Sequence, residues 1–252
     1  MLATTHLPSQ GAAAPTLIAH GLFGSARNWG VIAKRLSDRG PVAAVDMRNH
    51  GDSLFADDHS YAALAQDLSE VITANWGQAD VIGHSMGGKA AMVCALNAPD
   101  AVRRLVVADI APVGYGHTQA HLIHAMRALD LSHITRRSEA AEALEASIPE
   151  PGVRAFLLQS LDVAGKRWRL NLDALEAEMD KIIGFPEIEG RYDGPAFFLS
   201  GAESDYVLPE HRARIKALFP QARFAKIPGA GHWLHAEKPR EFEAAVRAFL
   251  DA

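Results

Sequence analysis

The chain has 252 residues, of which 48% are hydrophobic and 22% charged, with a net charge of -5. This is ordinary globular composition with material for one large core, or one domain carrying an insertion, and it excludes global disorder. Lysines and arginines are scattered, with only short pairs such as Arg103–Arg104 and Arg136–Arg137, so no nucleic-acid partner is expected.

From the N-terminus, no basic start leads into an apolar run, and no stretch reaches the roughly 18 apolar residues of a membrane span. The expectation is a soluble, cytoplasmic protein. "TLIAHG" (16–21) reads as the first strand, 27–38 as a helix, "PVAAVD" (41–46) as a strand and 60–74 as a helix. "ADVIGH" (79–84) and the helix 85–98, closed by Pro99, come next. That helix holds the single cysteine, Cys94, in an apolar run, which points to core packing and excludes an intramolecular disulfide. "RLVVAD" (104–109) is a strand. "PAFFLS" (195–200), the helix 210–219, "ARFAKIP" (222–228) and the helix 239–250 complete the series. Strands that are mostly continuously apolar, alternating with helices, predict an α/β fold with a mostly parallel, doubly wound sheet. Residues 113–194 break the alternation. They read as helix without a strand, with Leu122, Met126 and Leu129 on one face and Leu172, Leu175, Met179 and Ile182 on another. This predicts a helical cap (113–194) inserted before the penultimate strand of a core formed by 1–112 and 195–252, seated over the sheet edge that carries the site in such folds.

"VIGHSMGGKA" is the strongest chemical signal. It is a G-x-S-x-G motif between a strand and a helix, the context in which a serine is held on a sharp turn with its hydroxyl exposed. Ser85 is the expected nucleophile. Gly83 and Gly87 leave room for the turn, and the helix that follows aims amides at charge developing on the substrate. A serine hydroxyl needs a base. His232, on the glycine-lined loop of "IPGAGHWLHAEKP", is the expected one, with His235 as rival. In "LIAHGLFGSARNW", Gly21 would let the backbone approach an acyl carbonyl, so that the Leu22 and Met86 amides form an oxyanion hole. Phe23 and Trp233 are expected to bind substrate in an apolar acyl pocket, with Met86 and Trp168 as further wall candidates.

Other polar clusters carry less chemistry. "DMRNHGDS" (46–53) reads as a turn held by Asp46, Arg48 and Gly51, although its His50 could be a second base. His117, His121 and His124 have helical spacing and could line the cap or meet a metal, but triad chemistry needs none. Three carboxylates compete for the acid. Asp205, in "LSGAESDYV" after the penultimate strand, arrives one residue late, with Ser204 where the acid is expected. Asp109 ends a strand beside that of Ser85, where an unpaired carboxylate would be costly. Asp173 lies in the insertion.

The motifs HGLFGS (20–25), DMRNHGDS (46–53), GHSMGGK (83–89), DIAPV (109–113) and GAGHWxHAEKP (229–239) resemble the α/β-hydrolase superfamily along essentially the whole chain. Within it they are similar to the YbfF-type bacterial serine esterases and their mitochondrial abhydrolase relatives. The resemblance implies the α/β-hydrolase fold, hydrolysis of carboxylic esters, extending to acyl thioesters, through an acyl-enzyme, and no cofactor. It also implies that the acid comes from the strand of DIAPV, which makes the expected triad Ser85, His232 and Asp109. A small-molecule ester of short-to-medium acyl length is the expected substrate. Perhydrolysis and carbon–carbon bond hydrolysis are alternatives on the same triad. A catalytically silent ligand-binding receptor of this fold is the alternative outside enzymes.

Overall fold

In a computed structural model, which describes residues 1–9 and 11–252, the apolar runs form one seven-stranded sheet. Its strands are β1 (Thr4–Leu7), β2 (Thr16–Ala19), β3 (Val42–Val45), β4 (Ala79–His84) and β5 (Val102–Ala108), and it continues, after an insertion holding the two-residue strands β6 (Leu161–Asp162) and β7 (Arg167–Trp168), with β8 (Ala196–Gly201) and β9 (Ala222–Ile227). The spatial order is β1-β3-β2-β4-β5-β8-β9, and β1 alone pairs antiparallel.

Successive strand residues face opposite ways, so each strand serves two cores. Leu17, Val81, Leu105, Val107 and Phe198 pack beneath α2 (Tyr61–Asn75) and α3 (Met86–Asn97). Ile18, Ile82, Val106, Phe197 and Leu199 pack against α1 (Gly30–Leu36) and the C-terminal helix. The inserted segment supplies α4 (Ala120–Ala128), α5 (Arg137–Ala143), α6 (Pro151–Leu157), α7 (Leu172–Ala177) and α8 (Met179–Ile183). After it come α9 (His211–Leu218), α10 (Leu234–Glu237) and α11 (Pro239–Leu250). Helix α11 starts with Pro at its first position, where the missing N–H is harmless, and buries Phe242, Val246 and Phe249 on one stripe. Helix α3 is buried almost all round, Cys94 included, because it lies against β4 and β5 on one side and α2 on the other.

The doubly wound, mostly parallel architecture is the one expected. Three readings are corrected. The edge strand β1 was not foreseen, since "TTHL" is short, half polar and paired on one side only. The insertion is not strand-free: β6 and β7 form a small hairpin. The long pattern at 170–185 is two helices divided at Glu178 rather than one. Among the described residues no helix is long and apolar enough to cross a membrane.

The core makes a direct stability test. Phe242 is fully buried between α1 and the sheet, whereas Val31 is 58% exposed. Phe242→Ala should cost about 3–5 kcal/mol in denaturant unfolding, and Val31→Ala should stay within about 0.5 kcal/mol of wild type. Similar effects at both positions would contradict this packing.

Candidate active site

Parallel strands deliver their C-terminal ends to one edge, so the loops after β2, β3, β4, β5, β8 and β9 meet there. Ser85 follows β4 with φ 51° and ψ -121°, a strained conformation for a residue with a side chain. The turn closes only because its flanks are glycines. A Cβ on Gly83 would lie 2.3 Å from the Gly87 carbonyl oxygen, and one on Gly87 would lie 2.4 Å from that of His20. Met86 opens α3, so its amide is one of those without an intrahelical acceptor.

The structure brings Ser85, His232 and Asp109 into one line. His232 Nδ1 donates to Asp109 Oδ2 at 2.7 Å, which leaves Nε2 to accept from Ser85 Oγ at 3.1 Å. Asp109 is wholly buried just past β5, at φ 53°, a region that Asp tolerates better than most residues. Its carboxylate takes two further donors, the Gly201 amide at 3.0 Å and Ser204 Oγ at 2.5 Å. The residue that replaces an acid in "LSGAESDYV" therefore bonds to the carboxylate of the neighbouring strand. Asp205 is exposed, and the Asp173 carboxylate is taken up by Arg127, on the outside of the insertion. Neither meets His232.

His235 is buried flat against Trp29, with centroids 4.1 Å apart and planes 7° from parallel. Sequence reasoning passed over His84, directly before Ser85. Its Nε2 donates to the His232 carbonyl at 2.9 Å, tying the serine turn to the histidine loop. Burial, with His235 and His232 nearby, keeps the His84 imidazole well below its ordinary range.

The DMRNHGDS turn is held as expected and does more. Asp46 accepts from the Ala26 and Asp52 amides, at 2.8 and 2.9 Å, and Arg48 forms a two-pronged pair with Asp67. His50 is no exposed base. Its Nδ1 donates to the Arg48 carbonyl and its Nε2 accepts from the Phe23 amide at 3.1 Å, which fixes the Leu22–Phe23 turn. His20 steadies the same corner, donating to the Gly21 carbonyl and accepting from the Met47 amide. His59 accepts from Asn49 and contacts Met86 Sδ at 3.3 Å. The loop also grips the insertion: Gly51 N donates to Arg169 O, and Asn171 N to Asn49 O.

These groups enclose a cleft of about 900 Å³, solvent mouth included, walled by Phe23, Leu122, Val153, Phe156, Ile182 and Trp233. Leu22, Ser85, Met86 and His232 line its base. Trp168 does not line it; its indole N–H donates to the Met126 carbonyl within the insertion, which corrects its expected place in the acyl pocket. Lys89, one turn along α3 from Ser85, was also missed. Its ammonium donates to the Ile183 and Gly184 carbonyls at the end of α8, and burial lowers it to about 7. Of the three spaced histidines only His121 and His124 lie on α4, both on its exposed side. His117 precedes α4 and bonds to Tyr206, His124 pairs with Glu176, and His121 is exposed.

Residues 17–245 match the model of the alpha/beta hydrolase family. The chain is 45% identical over 242 residues to the sn-1-specific diacylglycerol lipase ABHD11 of Mus musculus, covering 92% of this chain and 79% of that one. It is 42% identical to Esterase YbfF of Escherichia coli, covering 94% and 93%. Among solved structures it is similar to a marine microorganism esterase, with a TM-score of 0.92 and 38% identity over 98% of both chains.

The buried neutral histidines give a pH prediction. Burial pushes His20 down to about 4, and His50 and His59 to about 3, from 6.5. Below pH 6.5 the unfolded chain takes up protons that the folded chain refuses, so their contribution is complete above about pH 6.5 and is lost as pH falls toward 4. Between pH 7 and pH 5 one such histidine accounts for about 2 kcal/mol of lost stability. Denaturant unfolding at both pH values should show that loss reduced by about that amount in His50→Gln; an unchanged loss would contradict the neutral, bonded state of His50.

Proposed function

The chain belongs to the alpha/beta hydrolase family, and from that premise we propose that it is a carboxylesterase-type serine hydrolase working through Ser85, His232 and Asp109. The observation that carries this reading is the line Asp109 Oδ2, His232 Nδ1, His232 Nε2, Ser85 Oγ, with spacings of 2.7 and 3.1 Å. The names of its relatives, an esterase and a diacylglycerol lipase, support ester bonds as the target.

In the proposed cycle Ser85 Oγ attacks the ester carbonyl while its proton passes to His232 Nε2. Asp109 holds the imidazole in the required tautomer and balances its charge. The tetrahedral oxyanion is met by the Leu22 and Met86 amides, the second strengthened by the N-terminus of α3. His232 then protonates the leaving alcohol, and water repeats the sequence on the acyl-enzyme. Each C–O bond made or broken at the acyl carbon is accompanied by a proton transfer through His232, and the products are the alcohol and the carboxylic acid. The inserted segment (113–194) acts as the cap. Leu122, Val153, Phe156 and Ile182 close an apolar acyl pocket over Phe23 and Trp233, suited to short-to-medium acyl chains.

A fluorophosphonate probe should label the wild-type protein and leave Ser85→Ala unlabelled; a folded, unlabelled wild type would sink the enzyme reading. Asp109→Asn should lower turnover by about 10⁴-fold, since the histidine loses its tautomer and charge partner. Asp205→Asn should change turnover less than about threefold, since Asp205 is exposed and makes no hydrogen bond to the imidazole, whose carboxylate partner is Asp109. The reverse order would move the acid to Asp205. With p-nitrophenyl esters of graded length, activity should peak at short-to-medium acyl chains, and a steady rise to the longest would contradict the proposed pocket.

A further inference from the structure

The loop after β8 supplies a second group to the base. The Tyr206 ring lies face to face with the His232 imidazole, with centroids 4.0 Å apart and planes 19° from parallel. That ring is fixed from several sides. Its hydroxyl hydrogen-bonds with His117 Nε2 at 2.7 Å, its carbonyl accepts from Tyr115 Oη at 2.8 Å, and its amide donates to Ser204 Oγ at 3.3 Å. Tyr115 Oη in turn accepts from the Ala111 amide at 2.9 Å, which ties it to the chain just past Asp109.

An aromatic face carries negative potential and attracts a cation above it. In the proposed cycle the imidazole at 232 gains a positive charge with each proton it accepts, and a stacked ring favours that charged form. We infer that Tyr206 is a positioning residue that stabilises the imidazolium of His232 through its ring face, and that His117, from the inserted segment, pins this ring. The inference rests on the proposed role of His232 as base.

The other groups facing the imidazole are the Asp109 carboxylate at Nδ1, the Ser85 hydroxyl at Nε2 and the His84 ring, with His235 of α10 behind it. Burial keeps both His84 and His235 neutral through the working range. Around Tyr206 lie Tyr115, His117 and the adjoining Asp205.

The sign of one shift tests this. Removing a cation-stabilising face lowers the pKa of the acid limb of kcat/KM, whereas merely admitting water to a partly buried imidazole raises it. With p-nitrophenyl butyrate as probe, Tyr206→Leu should move the acid limb down by about 0.5–1 pH unit. Tyr206→Phe and His117→Ala, which both keep the ring and both remove its bond to His117, should move the limb downward by similar amounts, each smaller than that of Tyr206→Leu. Tyr206→Met, ringless and comparable in bulk, replaces the leucine variant if that one lacks a cooperative thermal melt. An unmoved or raised limb in a folded ringless variant overturns the inference. His232→Asn separates the two levels: near-wild-type turnover there would overturn the reading of His232 itself, while an inactive His232→Asn beside an unmoved Tyr206→Leu overturns only the role of Tyr206.

Discussion

A carboxylate with no exposed surface is tolerable only if donors surround it, and the site is organised around that demand. Asp109 sits where β5 ends, at a left-handed backbone angle, and its two oxygens collect an amide from β8, a hydroxyl from the loop beyond and the imidazole of the loop after β9. Each partner comes from a different segment. Satisfying one carboxylate therefore fixes the relative placement of β5, β8 and the histidine loop. The serine turn joins this frame through His84, whose bond to the His232 backbone spans from β4.

The inner strands of the sheet were legible because burial on both faces leaves short unbroken apolar runs between turn residues. What escaped was structure held by few apolar contacts. Edge strand β1 has a half-polar sequence, and β6–β7 is a hairpin of two-residue strands. Ser85 and His232 were legible because their signals are local, glycines at fixed offsets that a tight turn demands. The choice of acid was harder. Whether Asp109 or Asp205 meets the imidazole depends on β5 lying beside β8 and on how far each loop runs past its strand, and neither is written within a few residues of either aspartate. The contacts of Ser204 and Tyr206 are invisible for the same reason. Trp168 shows the opposite failure: a large apolar residue in the insertion announces burial but not direction.

Several histidines of this chain serve as neutral hydrogen-bonding parts rather than as titrating groups. His20, His50 and His59 each use one ring nitrogen to accept and the other to donate or contact, and burial lowers their affinity for protons. A ring with one bare nitrogen and one N–H can bridge two backbone groups that a carboxylate or an ammonium could not serve together. On the proposed reading His232, whose ring is partly exposed to the cleft, is the imidazole that takes up and gives back the proton in the cycle.

The loop at 46–53 faces two ways. Through Asp46 and His50 it holds the turn that carries Leu22 and Phe23, and through Asn49 and Gly51 it is laced to residues 169–171 of the inserted segment. The seam between sheet and insertion thus does not run only through the two points where the chain leaves and re-enters the sheet. Exchanging the insertion between relatives, by recombination or in a designed chimera, would set a foreign backbone against Asn49 and Gly51 and pull on the Leu22–Phe23 turn. The backbone that walls the cleft and is bonded to the Leu22–Phe23 turn is therefore discontinuous in the chain: the insertion together with an eight-residue loop about sixty residues before it.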